Sequence, residues 1–170
     1  MSNELVVAAT CTQRAYLYLE RELDLQGPPY SSEDLDRMAF EPDAVTARTG
    51  LVPTVAWRRG DPSPRAGRPP RRFSHWAYEL PEKSTLDSDE VVTALLDAIE
   101  PYAAGIAEAR SALGLQAGVM VVIWVEGGRD ADGAVTFTTP SLGYRQRTVQ
   151  RLAEMHLSLD HDQYVELPGS

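Results

Sequence analysis

The sequence predicts an α+β domain with a mainly antiparallel sheet and helices packed on one face. Three observations carry that expectation. Residues 14–23 alternate, with Tyr16, Tyr18 and Glu20 on one side and Ala15, Leu17, Leu19 and Arg21 on the other. A period of two is a strand with one buried face. Val91, Val92, Leu95, Leu96, Ile99, Tyr102, Ala103, Ile106 and Leu113 recur at three-to-four spacing, the stripe of an amphipathic helix. Residues 119–125 (VMVVIWV) are apolar throughout and largely β-branched. So short a run reads as a strand at or near the sheet centre, covered on both faces.

The remaining elements follow in order. Gln26-Gly27-Pro28-Pro29 ends the first strand. Ser31 or Ser32 caps a short helix with Glu33 and Asp34 in its first turn and Leu35 and Met38 inward. Pro42 stops or redirects it, and residues 43–52 form a connector without assigned structure. A strand is expected at 54–57. Residues 61–70 hold four prolines and one glycine, so they form a loop, and a second strand returns at 72–80. There Phe73, His75, Ala77 and Glu79 alternate with Ser74, Trp76, Tyr78 and Leu80. The long helix starts at an Asp87 or Thr85 cap and ends at Gly114. Pro101 inside it removes one backbone bond and predicts a kink near Asp97. After the apolar strand, a turn at 130–133 leads to a strand at 134–138 that extends the sheet. A third helix at 144–156 turns Val149, Leu152 and Met155 inward, and a last strand fills 157–167. The order is β-α-β-β-α-β-β-α-β, and its first six elements match a ferredoxin-like split βαβ unit.

Composition narrows the class. The 170 residues are 43% hydrophobic and 24% charged, enough for one packed domain at 14–167, preceded by a tail at 1–13. A single cysteine, Cys11, makes no internal disulfide. With no basic leader and no run near the roughly 18 apolar residues of a membrane helix, a cytoplasmic protein is expected. A net charge of −9 argues against general nucleic-acid binding. The charge is uneven. Residues 58–72 hold six arginines and one acid, a total of +5, so the rest carries −9 − 5 = −14.

Several features together suggest a family: the early strand, Phe40-Glu41-Pro42, Trp57-Arg58-Arg59-Gly60-Asp61-Pro62, Trp76-Ala77-Tyr78-Glu79, the helix at 95–101, and Asp160-His161-Asp162-Gln163-Tyr164-Val165. This ordered series resembles the bacterial domain of unknown function 4279 over residues 14–165. The resemblance implies a small cytoplasmic bacterial protein and carries no catalytic residues with it. The chain departs from a typical member in its longer Pro/Arg loop and at residues 43–52.

No catalytic, cofactor or metal constellation emerges. Cys11 has no histidine near it in sequence, and Gly-x-Ser-x-Gly, Gly-x-Gly-x-x-Gly and Walker patterns are absent. His156, Asp160, His161 and Asp162 cluster in sequence, but His161 and Asp162 point to opposite faces of a strand. Asp87, Asp89 and Glu90 suit a helix start. The best candidate binding residues are Arg58, Arg59, Arg65, Arg68, Arg71 and Arg72, which can grip phosphates or carboxylates, or form a solvated loop that balances the acidic body. Trp57, Trp76 and Tyr78 join them. With Tyr16 and Tyr18 these aromatics are expected to share one sheet face, which is core if helices cover it and an interaction surface if they do not; cover is the expectation.

The leading reading is a non-enzymatic module for protein–protein interaction, immunity-like or regulatory, whose acidic body masks a basic partner. The alternative is a binder of, or enzyme for, a small anionic ligand beside the loop at 58–72. A third is an accessory subunit of a larger assembly. The sequence leaves the oligomeric state open.

Overall fold

A computed structural model describes residues 8–21 and 29–168. Its main sheet runs β2-β3-β1-β5-β8, formed by β1 (Thr10–Glu20), β2 (Val55–Trp57), β3 (His75–Glu79), β5 (Gln116–Glu126) and β8 (Ser158–Glu166). A short β4 (Lys83–Ser84) pairs with the start of β1. Only the β5–β8 pair of this sheet is parallel. β3 lies between β1 and the β2 that runs parallel to β1, so β2-β3-β1-β5 is the split βαβ arrangement expected for the first half. β5 sits inside the sheet, between β1 and β8, with β1 at the centre.

Alternation decides which face is core. In β1, Cys11, Gln13, Ala15, Leu17 and Leu19 are buried, and the residues between them are not. The buried set meets α3 (Ser88–Ile99), whose Val91, Val92, Leu95, Leu96 and Ile99 are buried in turn. Each such side chain contributes about 1.5–3 kcal/mol through burial. All helices that contact the sheet share the core formed on this face. No described helix is long and apolar enough to cross a membrane.

Several expectations are corrected. The tail at 1–13 is too long, because the first strand begins at Thr10; residues 1–7 lie outside the described set. Gln13 is buried there because its amide donates to the Thr85 carbonyl (3.1 Å) and accepts from the Ser88 hydroxyl (2.7 Å), tying β1 to the start of α3. Cys11 is buried too, and burial pushes its thiol pKa up, against reactivity. The strand ends at Glu20, and residues 22 and 23 of the expected strand lie outside the described residues. Most of the turn at 26–29 lies outside the described residues.

Ser31 caps α1 (Ser32–Met38) in a capping box with Asp34. Pro42 then starts a helix rather than merely stopping one. The unassigned connector is α2 (Pro42–Thr49), with Pro at its first turn and Gly50 at φ 72° closing it. Pro101 breaks the long helix outright, at Glu100–Tyr102 in a 3-10 turn, and α4 (Ala103–Leu113) follows. The break falls three residues past the expected kink, where Pro starts a new turn without losing a needed N–H. In α4, Gly105 lets the backbone of α2 approach. A Cβ there would lie 2.5 Å from the Arg48 carbonyl oxygen.

The segment after β5 does not extend the main sheet. β6 (Gly128–Arg129) and β7 (Val135–Thr136) form a separate two-stranded sheet. In α5 (Gln146–Glu154), Leu152 is buried but Val149 is 52% exposed. Arg151 takes the inward place instead. Its guanidinium pairs with Asp97 and Glu100 at the end of α3, both at 2.9 Å, and its aliphatic stem packs.

Candidate ligand cleft beneath the arginine loop

The face of the sheet opposite the helices presents Tyr16 and Tyr18 from β1, Trp57 from β2, His75 from β3, and Met120 and Trp124 from β5, all half-buried. The expected cover on both sides of residues 119–125 is therefore missing from one side. Strand neighbours supply partial shielding. The Arg14 guanidinium lies 5.1 Å from the Trp124 ring, and Tyr164 stacks on that indole at 5.6 Å. The five aromatics expected to share one face are split. Trp76 and Tyr78 occupy the helix-covered side, where Trp76 is fully buried and its Nε1–H donates to the Thr46 hydroxyl of α2 at 3.0 Å. They belong to the core. Tyr16, Tyr18 and Trp57 remain on the open side.

The loop at 58–72 joins β2 to β3 and is closed at its neck. Gly60 donates to the Arg71 carbonyl and Arg71 donates back to the Asp61 carbonyl, each at 2.8 Å. The Asp61 carboxylate accepts from the Arg58 backbone N–H (2.7 Å), so the loop's one acid serves its turn. Gly60 has φ 90°, which side chains resist.

The six arginines then divide. Arg58 pairs with Glu41 and Asp43 at the start of α2. Arg59 pairs with Asp36 (2.8 Å) and donates to Ser32. These two moor the loop to the helices. Arg65, Arg68, Arg71 and Arg72 face no carboxylate at ion-pair distance among the described residues.

Arg71 instead covers Trp57, with its guanidinium carbon 3.9 Å from the ring centroid, and Trp57 stacks on His75 at 4.3 Å. Arg72 lies 5.8 Å from Phe73, and Phe73 meets Tyr30 edge-on at 6.1 Å. Together with Met38 and Phe40 these groups line a cleft of about 440 Å³. Arg21 also lines it, but its guanidinium is committed to the backbone carbonyls of Arg37, Ala39 and Leu113. A second hollow, about 380 Å³, lies on the open sheet face against Tyr18, Met120 and Asp160 and shares Glu20, Ser74 and His75 with the first. Tyr18 donates to Asp160 at 2.5 Å. Burial and that bond push its phenol pKa up to about 12, so it is a neutral donor at physiological pH.

His75 is held below its ordinary pKa, first by burial and then by the Arg71 charge. Its imidazole is neutral at pH 7, and Arg71 supplies the local cation. Arg71→Gln is expected to return the His75 pKa part of the way upward, burial being retained, as followed by an NMR pH titration of its ring protons. A folded-state pKa below the unfolded value means that the unfolded chain binds more protons, so His75 erodes stability as pH falls from its unfolded pKa towards its folded one. Arg71→Gln narrows that window.

Residues outside the sequence-based set also build the cleft. Phe73 sits two positions from His75, so the β3 alternation already carried its signal. Tyr30 carried none, because only the fold brings it against Phe73. At the far end of the sheet, Asp160 and Asp162 share the open face, while His161 lies on the other face and hydrogen-bonds Tyr144. Among the described residues no group of three His, Cys, Asp or Glu side chains could hold a metal ion.

No curated protein and no solved structure matches the chain. A family model described as a domain of unknown function, DUF4279, matches residues 30–166, from just before α1 to the end of β8, and so includes the loop and most of the cleft but not β1. The chain belongs to the DUF4279 family.

Proposed function

We propose that the protein binds a small anionic ligand with an apolar or aromatic body in the cleft beneath the loop. One observation carries this reading: Arg71 and Arg72 stand at an aromatic-lined cleft and form no ion pair among the described residues, although Glu20 lines the same cleft. A guanidinium that merely balanced the acidic body would lie against that body, as Arg58 and Arg59 do. A ligand phosphate or carboxylate would take the guanidinium N–H groups, each such bond contributing about 1.5–3 kcal/mol. Its body would replace water against Tyr30, Phe40 and Phe73. The cleft volume of about 440 Å³ fits one compact molecule. Four prolines limit the entropy the loop loses on closing over it. The reading assigns binding and no reaction.

The test is a thermal-shift panel of nucleotides, sugar phosphates, and aromatic and aliphatic carboxylates, each beside a neutral amide or ester analogue. Anions with an apolar body are expected to raise Tm, their neutral analogues to leave it unchanged, and the shift to shrink as salt rises. A flat response across the panel would overturn the reading.

A further inference from the structure

The other end of the sheet carries a different surface. β8 is hydrogen-bonded to β5 alone, so its outer edge has no strand beside it among the described residues. Every residue of Ser158–Glu166 except Leu159 is exposed. Such an edge invites a further strand, and proteins commonly block it with proline, lysine or a bulge. β8 has no proline and no lysine. Its guards are acids: Asp160, Asp162 and Glu166.

These acids select against a second copy of the chain. In a two-fold antiparallel pair, residues face one another symmetrically about a pivot residue on the same sheet face. A pivot at Asp160 or Asp162 sets that carboxylate against itself. Pivots at His161, Gln163 and Tyr164 oppose Asp160 to Asp162, Asp160 to Glu166, and Asp162 to Glu166. Every register with substantial overlap thus places like charges together, which destabilises the pair. The same acids favour a basic strand. Asp160, Asp162, Tyr164 and Glu166 all lie on the open face, two residues apart in turn. Asp160 and Asp162 accept hydrogen bonds from Tyr18 and Tyr164, and none of the three acids has a cationic partner among the described residues. The −14 carried outside the loop adds long-range attraction for a cation-rich segment.

We propose that the β8 edge docks an extended basic segment of another protein as an added strand. Its lysines or arginines at alternate positions would face Asp160, Asp162 and Glu166, with an apolar residue opposite Tyr164. Backbone bonds supply attachment, and the acids supply selection.

The probe is a short labelled valine-rich peptide with lysine at the positions that face Asp160, Asp162 and Glu166 and valine at the position that faces Tyr164, compared with its glutamate counterpart. Binding is read by fluorescence anisotropy, and amide hydrogen exchange is followed across β8. The lysine peptide is expected to bind and to slow exchange in β8; the glutamate peptide is expected not to bind. Asp162→Lys with Glu166→Lys is expected to weaken binding about tenfold or more. Asp162→Asn with Glu166→Gln gives a smaller loss in the same direction and stands in should the reversal impair folding. Replacing the loop arginines should leave peptide binding intact, which separates this edge from the cleft. Absence of binding, equal binding by the charge-reversed or neutral variant, or binding without slowed exchange in β8 would overturn the proposal. So would a dimer of the free chain paired through β8.

Discussion

Replacing Arg65, Arg68, Arg71 and Arg72 together with serine is expected to leave the melting temperature nearly unchanged and to abolish anion binding. The loop neck is held by backbone bonds between Gly60, Asp61 and Arg71, which a change of side chain spares. The moorings Arg58 and Arg59 are kept. The loss of Arg71 from the Trp57 face costs about 0.5–1 kcal/mol. The other three sites are solvated, and each moves stability by less than about 0.5 kcal/mol. Removing four positive charges takes the net charge from −9 to −9 − 4 = −13, so the variant repels anions as well as lacking donors for them. With two guanidinium anchors gone, affinity should fall by at least about a hundredfold. A melt and a binding titration on the same preparation decide the matter. A large loss of Tm would make the arginines part of the fold's support. Unchanged binding would remove the cleft as the site.

Trp76→Ala is expected to destabilise the domain more than any change on the open face. The indole is fully buried in the core, and its N–H is bonded to Thr46. Truncating a large buried aromatic costs about 3–5 kcal/mol, and here it also strands a partner hydroxyl. For a chain of this length about 1 kcal/mol moves Tm by roughly 2–4 °C, so a fall of about 6–20 °C is expected. Trp57→Ala is the contrast. It should cost little stability, because Trp57 lies on the uncovered face, and should weaken ligand binding by removing the surface that positions Arg71. Denaturant unfolding of both variants measures the difference. If Trp57→Ala proved the more destabilising, the assignment of faces would be reversed.

The sequence by itself determined the elements whose cause is local. Alternation in β1 and β3, the three-to-four stripe of α3, and the caps at Ser31 or Ser32, at Asp87 or Thr85 and at Gly114 are written in neighbouring residues; the structure selects Ser31 and Asp87. The same holds for the +5 loop and for the separation of His161 from Asp162 across β8. Where the cause lies across the chain, local pattern misled. The helix at Pro42–Thr49 has a weak apolar stripe, and its packing against α4 depends on Gly105, far along the sequence. Val149 reads as an inward residue until Asp97 and Glu100 arrive to receive Arg151. Residues 119–125 read as covered on both faces because apolar composition reports a preference for burial and not what supplies it; here Arg14 and Tyr164 shield Trp124 in place of a helix. The candidate site divides in the same way. Composition marked six arginines, but only tertiary structure decided that two are moored to carboxylates on α1 and α2 while the other four form no ion pair among the described residues. The reason is physical: charge is a property of residues, whereas neutralisation depends on what the fold brings within a few ångströms of them.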